Sequence, residues 1–213
     1  MNARTNDADS AVGGAAPAVD ATTARVSSPA STGGAGTTFE QHVGAYWLAQ
    51  LLVGAIPPIA IDNTVVEVSF QTERLGWHTD DFLVVGTFGG VSRHLAGQVK
   101  RSFTVSASDQ QCVQAVTGFW KDFNASHFSK DQDRLALVSL RGTKTLLEHF
   151  VGLLDCARAA RGGVEFEQRL ATEGFISSTA VRYCGELQKI IGDVEEKLVT
   201  AADICRSCAP STC

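Results

Sequence analysis

The chain has 213 residues, of which 44% are hydrophobic and 19% are charged, and its formal net charge at neutral pH is −5. A chain of this length supports one well-formed domain with a small appendage. The negative charge argues against a protein that coats nucleic acid nonspecifically, because such binding requires a basic surface. It leaves room for an enzyme with a local basic cleft.

The N-terminal segment, residues 1–35, consists largely of Ala, Gly, Ser, Thr, Asp and Pro. Its apolar surface is too small to offset the entropy of ordering, which predicts a disordered tail. It also lacks the continuous apolar core of a secretory signal, so we expect a cytoplasmic protein. The remaining pattern predicts a core from 36 to 142, a helical extension from 143 to 200 that packs on the core or begins a further domain, and a flexible cysteine-containing tail from 201 to 213.

The first helical pattern begins at Glu40, where Thr37 or Thr38 can serve as the cap. Residues 43–61 contain no charge, but Pro57 ends the helix well short of the roughly 20 residues that a bilayer requires. This predicts a buried core helix and no membrane span. Glu40 either stabilises the first turn through the helix dipole or reaches a functional site.

Three strand-like runs follow, at residues 64–70, 81–85 and 94–100. The first is rich in β-branched residues, which favours a strand. Between the second and third runs stand Gly89 and Gly90, a strong signal for a hairpin turn. The second and third runs therefore predict a hairpin, with the first run as a plausible neighbour.

The turn position predicts which residues of the hairpin face each other. If it centres on the two glycines, residues whose numbers sum to 179 are paired, so Asp81 lies opposite Gln98. Lys100 then lies on the same face, because side chains alternate with a period of two. Asp80 is the fallback for Asp81, and both aspartates have an alternative interpretation as turn residues before a strand.

This hairpin end brings together a carboxylate, an amide oxygen and an ammonium group. Oxygen ligands hold a hard cation such as Mg²⁺ or Mn²⁺, which polarises a phosphate and lowers the pKa of a bound water. A lysine steadies that water and the charge that develops on the phosphate. The arrangement predicts hydrolysis of a phosphodiester.

Beyond the hairpin, Ser106 or Ser108 is predicted to cap a helix that carries Gln114 on its surface. Residues 135–140 predict a buried strand, and the pattern from Thr143 onward is helical.

The six cysteines of this chain predict reduced thiols, since no secretory signal precedes them. Cys205, Cys208 and Cys213 offer three ligands where structural zinc requires four. A frayed C-terminal end is the simpler interpretation.

Four short segments, taken in their order along the chain, resemble the motifs of a known superfamily. They are residues 36–40, 80–82, 98–102 and 119–123. Together they are similar to the PD-(D/E)xK nucleases, in the D-QxK variant found in Mrr-like restriction enzymes. Within it they look most like the double-stranded DNA nuclease domains of bacterial antiphage defence proteins, which are linked to nucleotide-messenger (CBASS-type) or NTPase sensors. The resemblance implies a restriction-endonuclease-like α/β fold, with a mixed central sheet flanked by helices and a helical C-terminal extension.

The resemblance also assigns roles to particular residues. The catalytic group that it implies consists of Asp81, Gln98, Lys100 and Glu40. The metal ligands that it implies are Asp81, Gln98, Glu40 and the main chain of Val99, and the candidate DNA contacts are Arg101, Lys121 and Gln114. Because Gln98 is neutral, we expect the metal to bind weakly without DNA.

The function implied is that of a Mg²⁺- or Mn²⁺-dependent endonuclease acting on double-stranded DNA in antiphage defence. Cutting both strands requires two active sites, which predicts a homo-oligomer. A sensor domain or sensor protein is a further expected partner, and no membrane is expected. The alternative is a non-catalytic nucleic-acid-binding or scaffold module that retains a degenerate nuclease fold, with Gln98 as the mark of lost activity.

Overall fold

The computed structural model of the chain describes residues 34–56 and 63–208. The tail predicted for residues 1–35 lies almost wholly outside them, as do residues 209–213. The elements in chain order are α1 Gly34–Leu52, β1 Thr64–Phe70, a 3₁₀ turn Thr72–Leu75, β2 Phe82–Phe88, β3 Val91–Ser102, α2 Gln110–Asn124, β4 Arg134–Arg141, a π turn Leu146–Phe150 leading into α3 Val151–Arg158, α4 Gly163–Ala171, α5 Ser178–Glu195 and α6 Ala201–Cys208. Within the described ranges, no helix combines the length and apolar character needed to cross a membrane.

The four strands form one mixed sheet in the order β1, β2, β3, β4. The first three are antiparallel neighbours, and β4 runs parallel to β3. On one face Trp47 of α1 packs against Phe82 and Val99. On the other face Phe123 of α2 packs against Ala96. The predicted fold class, a mixed sheet flanked by helices, is confirmed.

The hairpin of β2 and β3 has the predicted register. Gly89 and Gly90 have φ angles of 61° and 82°, the left-handed values that a type I′ turn requires at both central positions. Phe82 pairs with Gly97, so the numbers of paired residues sum to 179 as expected. A shift of one residue would move every side chain of the strand to the opposite face. The turn therefore decides which side chains of β3 lie on the face of the sheet that α2 covers.

The first helix differs from its prediction in where it begins and in how deeply it is buried. α1 begins at Gly34, so Thr37 and Thr38 lie inside it and not at the position before its first residue. The two early glycines cost only about 1 kcal/mol each in a helix, which is too little to stop it. Trp47 is only 3% exposed, but Leu52 on another face is 86% exposed. The prediction of a buried core helix is wrong, because a lack of charge does not imply burial and much of any protein surface is apolar.

Helix α2 crosses from β3 to β4, and its first turn is capped by a different residue from the one predicted. The side chain of Asp109 accepts a hydrogen bond from the Cys112 N–H at 2.9 Å. The hydroxyls of Ser106 and Ser108 are hydrogen bonded to each other at 2.9 Å. The carboxylate stands next to the helix and satisfies a free backbone donor, so the prediction of a serine cap is wrong.

The helices after β4 share a hydrophobic core with α2. Leu153, Leu187 and Ile204, from α3, α5 and α6, belong to the same buried cluster as Cys112 and Val116. Polar contacts cross the same boundary. The Trp120 indole donates to Glu195 at 2.6 Å, and the Ala107 N–H donates to Glu186 at 2.7 Å.

The prediction of a flexible tail from residue 201 is wrong for the residues that form α6. Thr200 and Asp203 cap this helix reciprocally, since the Thr200 N–H donates to the Asp203 carboxylate at 3.0 Å and the Asp203 N–H donates to the Thr200 hydroxyl at 3.3 Å. Ile204 and Cys205 are each 2% exposed. The prediction treated the cysteines as a frayed end, but the apolar face of this short helix is buried against the preceding helices.

A buried carboxylate fixes the start of β4 to β3. Asp133 accepts hydrogen bonds from the backbone and ring nitrogens of His94, at 2.7 and 3.0 Å, and from the Ser129 N–H at 2.7 Å. Burial raises the pKa of Asp133, but these hydrogen bonds outweigh it and leave that pKa below its usual value. The hydrogen bond to Asp133 raises the pKa of His94.

These opposite shifts predict a pH window for the stability of the fold. The histidine contribution is complete below about pH 6.5, the pKa of an unfolded histidine, and is lost as the pH rises through the raised folded pKa. The aspartate contribution is lost as the pH falls below about 4. We expect His94→Asn to lower the free energy of unfolding by about 1 kcal/mol more at pH 5.5 than at pH 8, in urea denaturation. An equal loss at both pH values would contradict the ion pair.

Candidate functional site

The predicted site residues meet at the end of the hairpin opposite its turn. Asp81 immediately precedes β2, and Gln98 and Lys100 lie on β3, on the face that α2 covers. They line a polar cavity of about 390 Å³. Its lining residues are Glu73, His78, Asp80, Asp81, Gln98, Lys100 and Gln114.

Asp81 is joined directly to β3 by one of its carboxylate oxygens. That oxygen, Oδ2, accepts hydrogen bonds from the Gln98 side-chain amide at 2.7 Å and from the Val99 N–H at 2.5 Å. The Gln98 amide also lies 3.3 Å from the carboxylate of Asp80. Both aspartates therefore face the same glutamine, and both remain candidates for the ligand role.

The surroundings of Asp81 disfavour the ionised form of its carboxylate. Burial raises its pKa, and the hydrogen bond from Val99 and the charge of Lys100 offset that effect only in part. The neighbouring charges of Asp80 and, more weakly, Glu40 raise the pKa further. A cation in the cavity would oppose both the burial cost and the carboxylate repulsion.

The oxygen atoms of Asp81 and its neighbours on β3 that are not used in these hydrogen bonds are suited to bind a hard cation. Since Asp81 Oδ2 can only accept, the nitrogen of the Gln98 amide must point to it, which leaves Gln98 Oε1 directed elsewhere. Neither Gln98 Oε1 nor Asp81 Oδ1 accepts a hydrogen bond from another described residue. The Val99 N–H and C=O point to the same side of an extended strand, so its carbonyl also lies on the Asp81 side. Carboxylate, amide and carbonyl oxygens are the donors that Mg²⁺ accepts.

The negative charges of the cavity are spread over three carboxylates, Glu73, Asp80 and Asp81. Among the described residues, no group of three His, Cys, Asp or Glu side chains is arranged to hold a metal ion. Of the three carboxylates, Asp80 and Asp81 lie next to Gln98, which is a neutral oxygen donor. This donor set fits a cation that also takes ligands from a bound anion.

The structure brings together some of the predicted residues and leaves others apart. Gln114 of α2 lines the cavity, as do Asp81, Gln98 and Lys100. The predicted residues that do not line it are Glu40, Arg101 and Lys121, which are exposed, and Val99, whose side chain is buried in the cluster with Trp47. Glu40 nevertheless lies close enough for its charge to act on Asp81. Its role as a ligand and the roles of the two cations in DNA contact stay predictions.

Sequence reasoning overlooked Glu73 as a member of the cavity. It lies on the 3₁₀ turn after β1, and its position depends on how the connection to β2 folds back. We call residues 71–81 the site loop. Within it, the Thr72 N–H donates to the Asp80 carbonyl at 2.9 Å, and the Thr72 hydroxyl donates to the Thr79 carbonyl at 2.6 Å. Both threonines are fully buried, so the loop has a packed interior of its own.

Helix α2 holds the site loop from outside through Asp122. This carboxylate is fully buried and accepts hydrogen bonds from the backbone N–H groups of His78 and Thr79, at 2.8 and 2.7 Å. One turn earlier, Gly118 lets the loop approach closely, since a Cβ atom there would lie 2.9 Å from the His78 carbonyl oxygen. The only signal for this contact in the sequence is an aspartate beside the apolar stripe of α2. It identifies a buried acid but not its partners.

Comparison of the chain with protein-family models, with curated proteins and with solved structures finds no match.

The contact between Asp122 and the site loop predicts a local effect of Asp122→Asn. An asparagine can accept from only one of the two N–H groups and presents a donor to the other, so we expect a loss of about 1 to 3 kcal/mol in the free energy of unfolding. Hydrogen exchange at residues 77–82 should become faster. The matched control is Asp133→Asn, which removes a similarly buried carboxylate whose backbone partners, His94 and Ser129, lie outside the site loop. Faster exchange in 77–82 for both variants would show that Asp122 has only a general effect on stability.

Proposed function

We propose that this protein is a metal-dependent endonuclease that hydrolyses phosphodiester bonds of double-stranded DNA, with Mg²⁺ or Mn²⁺ as its cofactor. The observation that supports it best is the convergence of Asp81, Gln98 and Lys100 in one polar cavity, through the register that their positions in the sequence predicted. If these three residues only ended a solvated hairpin, they would not need to line one cavity, and Asp81 and Gln98 would not need to be hydrogen bonded.

Each residue has a distinct part in the proposed reaction. Asp81, through Oδ1, Gln98, through Oε1, and the Val99 carbonyl would hold the cation. When bound, the cation polarises the phosphate and lowers the pKa of the attacking water. Lys100 lies on the same face of β3, where its ammonium orients that water and stabilises charge on the phosphate. The hydrogen bonds from Gln98 and Val99 keep Asp81 in place before substrate arrives.

The neutral residue at position 98 favours an anionic substrate. The nuclease pattern has an acid there, whereas here Asp80 and Asp81 lie next to the neutral Gln98 and Glu73 lines the same cavity. A DNA phosphate entering the cavity would bring a negative ligand to the cation where Gln98 brings none, so cation and substrate bind better together than separately. The protein as a whole carries a net charge of −5, so that approach depends on the cation and on local basic groups.

The biological setting is the part of the proposal that rests on sequence resemblance alone. By that resemblance the enzyme is an effector of antiphage defence, controlled by a sensor domain or protein. Two sites are needed to cut both strands, which favours a homo-oligomer as the active form.

A second candidate is a non-catalytic module that binds nucleic acid or acts as a scaffold. The observation that favours it is the direct hydrogen bond between Gln98 and Asp81, which gives each side chain a partner without any cation. This second candidate predicts that the protein binds DNA without metal and does not cleave it.

Cleavage of supercoiled plasmid by the purified full chain, with Mg²⁺ or Mn²⁺ and with EDTA, separates the two. We expect metal-dependent cutting that falls by about 100-fold or more in Asp81→Asn and in Lys100→Ala. The matched controls are Asp131→Asn and Lys144→Ala, exposed residues outside the cavity, which should cut like the wild type. DNA binding without cutting at any protein concentration would favour the second candidate.

Gln98→Glu tests the ligand role without relying on activity. The substitution replaces the donor to Asp81 by a carboxylate, so the two groups repel each other unless a cation lies between them. We expect the variant to melt at a lower temperature than the wild type in EDTA and to gain more thermal stability from Mg²⁺. An equal Mg²⁺ effect on the two proteins would mean that residue 98 does not contact the cation.

A further inference from the structure

A second cavity, of about 460 Å³, lies between the sheet and the C-terminal helices. Its walls come from α2, β4, α3, α5 and α6, and it shares no lining residue with the cavity of the candidate active site. The inference drawn from it is therefore independent of the proposed nuclease function.

Apolar side chains, aliphatic and aromatic, dominate the walls of this second cavity. The aromatic ones are Phe103, Phe119, Trp120, Phe123, Phe128 and Phe150. A volume of this size with apolar walls falls in the range of pockets that bind small organic molecules. If only water occupied the cavity, its apolar walls would stay hydrated and would contribute no hydrophobic stabilisation.

The charged groups at this cavity are mainly cationic. Lys130 lies with its ammonium 4.3 Å from the centre of the Phe123 ring, and Arg134 donates to the backbone carbonyls of Asp131 and Asp133. Neither cation forms an ion pair with any residue in the described part of the chain. In a protein of net charge −5, two cations without acidic partners beside an apolar cavity point to an anionic ligand group.

The other charged groups in the lining are already engaged. The Asp133 carboxylate is occupied by three hydrogen bonds from His94 and Ser129. The guanidinium of Arg158 is paired with Asp155 at 3.0 Å. The groups left for a ligand are the apolar walls, Lys130 and Arg134.

We propose that this cavity binds a small amphipathic anion, a molecule with an apolar body and one carboxylate or similar head group. The body fills the aromatic cavity between α2 and the C-terminal helices, and the head group pairs with Lys130 and Arg134.

Isothermal titration of the full chain with decanoate, below its micelle concentration, tests the proposal. The matched probe is decyltrimethylammonium, which has the same alkyl chain and the opposite charge. We expect one decanoate per chain and binding of decyltrimethylammonium at least about tenfold weaker, since hydrogen bonds to charged groups are worth enough to change affinity by that factor. Equal binding of the two probes, or no saturable binding of decanoate, would overturn the proposal.

Two sets of variants locate the site. Lys130→Gln with Arg134→Gln should weaken decanoate binding about tenfold and remove the preference over the cationic probe, whereas Lys144→Gln with Arg182→Gln, elsewhere on the surface, should change neither. Leu137→Trp, on the β4 wall, should abolish binding by filling the cavity. Unchanged binding in the Lys130/Arg134 pair refutes the proposal even if the tryptophan variant fails to fold.

Discussion

The candidate site depends on one contact, the pair of hydrogen bonds by which Asp81 is attached to Gln98 and Val99 of the neighbouring strand. That contact exists only in one register of the hairpin, which the turn at Gly89 and Gly90 sets. A slip by one residue would turn Gln98 and Lys100 toward α1 and leave Asp81 without partners. The chemistry at one end of the hairpin is thus fixed by the backbone geometry at the other.

Buried carboxylates connect the layers around this contact, and each is held by backbone N–H groups. Asp122 attaches the site loop to α2, and Asp133 attaches β4 to β3. A buried carboxylate without partners would be strongly destabilising, so each one specifies a single arrangement of the segments it joins. Asp81 differs from both, because one of its oxygens has no partner among the described residues and its pKa is raised. The fold satisfies the structural acids and leaves Asp81 incompletely satisfied.

Local patterns predicted the sheet and the centre of the site, because both depend on short-range geometry. Strand alternation and a two-glycine turn are sufficient to place Asp81 opposite Gln98. The contributions of Glu73 and Asp122 could not be predicted in the same way, since they arise where the site loop folds back against α2. Asp122 lies 44 and 43 residues along the chain from its partners, His78 and Thr79. Two predictions failed, the depth of burial of α1 and the absence of a helix after residue 201. Both failed because composition alone does not show which apolar face of a helix packs against another element. The second cavity likewise arises only from the packing of distant helices on β4 and α2.

The proposed function requires Asp81 and Gln98 to hold a divalent cation together. Anomalous diffraction from crystals grown with Mn²⁺ and a short DNA duplex would locate that cation. We expect a Mn²⁺ peak about 2.1 Å from Asp81 Oδ1 and Gln98 Oε1, with a DNA phosphate completing the coordination. A duplex phosphate in the cavity with no Mn²⁺ bound to these two oxygens would refute the proposed cation site.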